Sequence, residues 1–109
     1  MGECDSFKVR DKDTIVNFIE SLIREIEMKQ FGEVITERFA LDNPEVAGYS
    51  AMCFLTTSHI SAHFAEKSNS VFLDIFTCSK LDVNKTVIFC MDFFQAKTCN
   101  HTFRLRYLP

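Results

Sequence analysis

The chain has 109 residues, a net charge of −3, 47% apolar residues and 25% charged ones. Those proportions belong to one soluble globular domain, residues 1–109, built on a single core. No basic cluster offers a footprint for nucleic acid, and no apolar run approaches the ~20 residues of a membrane span.

The start, MGECDSFKVRDKD, has no signal-peptide core, and the match of Gly2 and Ser6 to a myristoylation pattern is too short to carry a site. A first helix is expected from a cap at Asp13 or Thr14, with Ile15, Phe18, Ile19, Leu22, Ile23 and Ile26 on one face and a stop at Gly32. EVITERFA, residues 33–40, reads as a strand, and LDNPE as a turn on Asn43 and Pro44. Residues 46–57 read as a second strand, and SHISAHFAEKSNS, 58–70, as a polar connection. The strand from Val71 to Cys78 puts Val71, Leu73, Ile75 and Thr77 on one face and Phe72, Asp74, Phe76 and Cys78 on the other.

A second helix follows a cap near Asp82 or Asn84, with Val87, Cys90, Met91 and Phe94 inward. HTFRLRYL, 101–108, alternates like a last strand with Arg104 and Arg106 on its polar side. With a short first strand the order is β-α-β-β-β-α-β. It predicts an α+β, two-layer sandwich: a mainly antiparallel sheet with two helices on one face. Twelve Phe without a Trp is more aromatic surface than a small core needs, and some of it can serve a subunit interface.

Cys4, Cys53, Cys78, Cys90 and Cys99 are odd in number and lack C-x-x-C spacing, which predicts reduced thiols in a cytoplasmic protein. Asp74 interrupts an apolar strand and should be paired or hydrogen-bonded. His59 and His63 form an H-x-x-x-H pair that would suit zinc only on a helix, and two histidines do not make a metal site. Ser58, His63 and Asp74 have the residue types of a hydrolytic triad, but no nucleophile elbow or glycine-rich oxyanion loop accompanies them. Taken singly, each has an ordinary structural reading.

Taken together, Ser58-His59-Ile60-Ser61-Ala62-His63 and the later V-x-L-D-I-F-T-C, ending at Cys78, resemble the bacterial and archaeal type of S-adenosylmethionine decarboxylase. That family shows E-S-H-[IL]-[ST]-[IV]-H-T-[WY]-P-E and then A-x-V-D-[VI]-F-T-C, in the same register. The resemblance implies self-cleavage between Thr57 and Ser58, which converts Ser58 to a pyruvoyl group, the cofactor that forms a Schiff base with the substrate. It further implies that His63 and Ser50 assist processing, that Cys78 is the proton donor, and that Gly48 and Asp74 give structural support. The enzyme would be a symmetric homodimer acting on a small molecule and supplying the aminopropyl donor for spermidine, with no metal, nucleic acid or membrane partner.

The chain departs from the pattern beside the nucleoside pocket. Thr57 replaces the glutamate before the serine, and Phe64-Ala65-Glu66-Lys67 replaces T-[WY]-P-E. Phe64 or Phe39 would then supply the adenine-stacking ring, and Glu66 would reach the ribose hydroxyls. A basic amino acid such as ornithine or arginine is the alternative substrate. An uncleaved relative that binds or regulates a partner is the non-enzymatic alternative.

Overall fold

The computed structural model describes residues 1–105. Its elements run α1 (Lys12–Glu25), β1 (Gln30–Phe39), β2 (Gly48–Leu55), β3 (Ser58–Ala65), β4 (Ser70–Thr77) and α2 (Val83–Phe94). The strands form an antiparallel meander in the order β1-β2-β3-β4, and both helices cover one face of it. This is the expected α+β two-layer sandwich. No helix among the described residues is long and apolar enough to cross a membrane.

The apolar stripe of α1, Ile15, Phe18, Ile19, Leu22 and Ile23, is buried. It meets the inward residues of the sheet, among them Ala51, Cys53, Leu55, Ile60 and Val71. Phenylalanines join the helices to each other and to the sheet. The Phe18 ring lies 4.5 Å from that of Phe94, which is 5.8 Å from that of Phe64. Buried aromatic rings of this kind contribute on the order of 2 kcal/mol each.

Several boundaries differ from the sequence reading. The α1 cap is Asp11, whose carboxylate accepts from the Thr14 amide at 3.0 Å and the Thr14 hydroxyl at 2.7 Å. The helix ends at the Ile26 cap, where Glu27 turns left-handed at φ 57°, well before Gly32. Gly32, at φ 80°, instead lies inside β1, where the register with β2 shifts between Phe31 and Ile35.

The larger correction concerns 58–70: its first eight residues are a full strand, β3. Ser58, Ile60, Ala62 and Phe64 are buried beneath the helices, while His59, Ser61 and His63 occupy the other face. Polar residues alternate here because that second face has no layer over it. The short first strand is reduced to a single bridge between Gly2 and Thr98. Residues 101–105 form no strand, and the rest of HTFRLRYL lies outside the described residues.

Candidate active site

The residues singled out by the sequence fall into two separate groups. At one end of the sheet a two-residue turn, Thr56–Thr57, joins β2 to β3, and both of its residues are exposed. Ser58 follows as the first residue of β3, 8% exposed, with its hydroxyl donating to Thr77 Oγ1 at 3.1 Å. Ser58 and Thr77 are direct partners in the β3–β4 ladder. Cys78, next after Thr77, leaves the sheet as an exposed free thiol. A cleft of about 300 Å³ opens here, lined by Met28, Lys29, Thr57, Ser58, Ser79 and Lys80 among others.

The other group lies on the uncovered face. Ser50 of β2 is paired with His63 of β3 in register, and its Oγ is 2.8 Å from His63 Nδ1. His63 Nε2 lies 2.6 Å from the Val46 carbonyl, which can only accept. Nε2 therefore carries a hydrogen, and in the tautomer protonated there alone Nδ1 accepts from the serine hydroxyl. Cross-strand pairing extends this into a row, Glu37–Ser50–His63–Phe72, beside a second row, Ile35–Met52–Ser61–Asp74. These residues and Phe39 border a second depression of about 540 Å³.

Ser58 and His63 are thus not brought together within one chain. Five residues at ~3.3 Å each separate them by about 17 Å along β3, and the odd spacing turns their side chains to opposite faces. The hydrolytic triad fails for the same reason, since Asp74 also lies on the open face, across from Ser61. His59 and His63, four apart on a strand, are about 13 Å from each other rather than adjacent as on a helix. Among the described residues no group of three or more potential ligands can hold a metal ion.

Three further expectations change. Phe64 is fully buried against Phe94 and presents no ring to a ligand, because its place in β3 faces the helices; Phe39 is 53% exposed. Asp74 is exposed and has no hydrogen-bond or ion-pair partner among the described residues, because its face of the sheet is open to solvent. Glu66 is held by Arg38 through two contacts, 3.0 Å from Nε and 2.5 Å from Nη2, and this pairing pushes the guanidinium pKa up. Arg10 fixes the same turn from below, donating to the Glu66 carbonyl and, at 2.6 Å, to Asn69 Oδ1.

Gly48 has a geometric reason to be glycine. Its φ is 155°, and a Cβ there would lie 1.8 Å from the Phe64 carbonyl oxygen. The close approach of β2 to the end of β3 at this point seats Ser50 opposite His63. Sequence reasoning missed the partners Thr77, Val46 and Arg38. Only Thr77 left a signal, as the residue before Cys78 in the strand.

The sequence model of the S-adenosylmethionine decarboxylase family matches residues 1–107. The chain matches no curated protein sequence. Its structure is similar to the crystal structure of the adenosylmethionine decarboxylase from Aquifex aeolicus, with a TM-score of 0.71 and 13% identity over 90% of this chain and 77% of that one. That likeness concerns the fold; the family match spans nearly every residue from Met1 onward, and the chain belongs to the S-adenosylmethionine decarboxylase family.

Proposed function

We propose that this protein is a self-processing, pyruvoyl-dependent decarboxylase of S-adenosylmethionine. The observation that carries the reading is the position of Ser58. It opens β3 directly after an exposed turn, beside a cleft, and is tied to the strand end that leads into Cys78. A cut at Thr57–Ser58 would leave residue 58 as a chain end beside that cleft, so the residues present fit the group that the family uses. When formed, a pyruvoyl group supplies an electrophilic carbonyl that captures an amine and accepts the electron pair released as carbon dioxide leaves.

Processing can be written on this chain's own atoms. Ser58 Oγ adds to the Thr57 carbonyl carbon, the C–N bond breaks, and an ester with a free residue-58 amine remains. Loss of the Ser58 α-proton expels the Thr57 carboxylate, and water then replaces the nitrogen, which departs as ammonia. A base must take the hydroxyl proton, and the Ser50–His63 pair can take it, Ser50 Oγ accepting while its own hydrogen passes to His63 Nδ1. In turnover, Cys78 Sγ–H would be the proton donor to the substrate carbon that has lost carbon dioxide.

His63 cannot serve the Ser58 of its own strand, so a second copy is required. The open face carries Phe31, Ile35, Phe39, Met52, Phe54 and Phe72, all exposed, which is an apolar surface of the kind that seeks a partner. Two such faces stacked about a two-fold axis running across the strands would bring the exposed Thr56–Thr57 turn of one copy, and with it the Thr57 carbonyl, toward the Ser50–His63 end of the other. The homodimer proposed here is therefore also the processing unit. Without that partner the chain stays whole, which is the non-catalytic alternative.

Intact mass spectrometry under denaturing conditions is the test. Two fragments, 1–57 and 58–109, with the second blocked to Edman sequencing, are expected. A single full-length mass after long incubation overturns the enzymatic reading.

A further inference from the structure

The cleft beside Ser58 is lined by two lysines, Lys29 from the α1–β1 connection and Lys80 just beyond β4. Among the described residues neither ammonium has a hydrogen bond or ion pair, unlike Lys67 with Glu45 or Lys85 with Glu25. Glu27 is the one carboxylate on the cleft wall. Two cations against one anion, next to the reactive serine, favour an anionic group on the ligand.

We infer that Lys80, with Lys29, recognises the α-carboxylate of the amino-acid substrate and so sets which end of it enters the cleft. This rests on the function proposed above. A substrate whose α-amine is captured at residue 58 has its carboxylate one carbon away from that nitrogen, inside the same cleft. The sulfonium of S-adenosylmethionine, two methylenes from the α-carbon, is repelled by the same ammoniums, so the pair favours the orientation in which the carboxylate faces them.

The energetic consequence is specific. The carboxylate loses its charge as carbon dioxide forms, so an ammonium contact to it is stronger in the ground state than in the transition state. Such a contact lowers KM without raising kcat. Removing it therefore raises KM and leaves kcat unchanged or somewhat raised.

The experiment uses purified, self-cleaved protein, whose cleavage is first read from intact mass; that reading reports on the proposed function and the following ones on the lysines. Lys80→Ala is expected to raise KM for S-adenosylmethionine about tenfold while kcat changes less than threefold, with the Lys29/Lys80 double variant raising KM further. Lys80→Arg should restore most of the loss. Calorimetric binding of S-adenosylmethionine methyl ester, which lacks the carboxylate charge, should be the same for wild type and Lys80→Ala within a factor of two. An unchanged KM overturns the inference, and so does an ester affinity that falls in step with KM, since the lysine would then shape the cleft rather than read the carboxylate.

Discussion

Ser50 and His63 sit directly opposite each other on neighbouring strands and are joined by a 2.8 Å hydrogen bond, on the face of the sheet that Ser58 turns away from. The arrangement predicts processing between chains. Ser58→Ala and His63→Ala should each remain full-length alone. Refolded together, the His63→Ala chain should release a 58–109 fragment, recognised by the mass of its substitution, because the other copy supplies the missing imidazole. Absence of that fragment from the mixture, with wild type cleaving normally, would mean that cleavage is confined to one chain.

Gly48→Ala should be far more damaging than Gly32→Ala. Gly32 has open space around its Cβ position and pays only for its left-handed φ, about 1 kcal/mol. Gly48 adds a collision with backbone at 1.8 Å, which forces β2 off β3 and should cost on the order of 3 kcal/mol or more. Urea denaturation of both variants measures the difference. Equal midpoints would show that the two strands separate there at no cost.

The double contact between Arg38 and Glu66 makes their effects non-additive. Arg38 is about half exposed, so the pair is expected to show a small favourable coupling in a double-mutant cycle of Arg38→Ala and Glu66→Gln. A coupling indistinguishable from zero would leave Glu66 free to bind the ribose of a nucleoside. A favourable coupling makes Arg38→Ala alter KM as well, because the carboxylate would lose its orientation.

Burial raises the thiol pKa values of Cys4 and Cys53, and that of Cys90 to about 12. Folding therefore favours the protonated thiol at Cys90. The stability this contributes is complete below the unfolded pKa near 9 and is lost as pH climbs toward 12, at about 1.4 kcal/mol per unit. Thermal melts between pH 9 and 12 should fall less steeply for Cys90→Ala than for wild type. In the folded protein at pH 8, iodoacetamide should label exposed Cys78 first, and Cys4, Cys53 and Cys90 only after unfolding.

The sequence revealed the fold wherever one face is buried and the other wet. The α1 stripe and the alternation from Val71 onward are both of this kind. It misled at 58–65, where Ser58, Ser61 and the histidines suggested a loop. A strand half-covered by helices and half-open can carry polar side chains on its open face, and the pattern of burial, not the polarity, defines it. The candidate site residues were legible as a spacing, because Ser50, Ser58, His63 and Cys78 match the register of the family pattern. Their division into two groups was not. Spacing gives no direction until strand parity and pairing are known, and parity alone sends Ser58 and His63 to opposite sides. Phe64 failed as a ligand-binding ring for the same reason, its even offset from Ser58 taking it under α2.

The meander places the Thr56–Thr57 turn midway through the strand order, with α1, β1 and β2 before it and β3, β4 and α2 after it. Severing that turn divides the molecule along the β2–β3 ladder and the contact of Phe18 with Phe94. Neither half keeps a complete helix layer or sheet. Unfolding of a protein cut there would separate two fragments as well as two protomers, so its midpoint would shift more steeply with dilution than that of the uncut dimer.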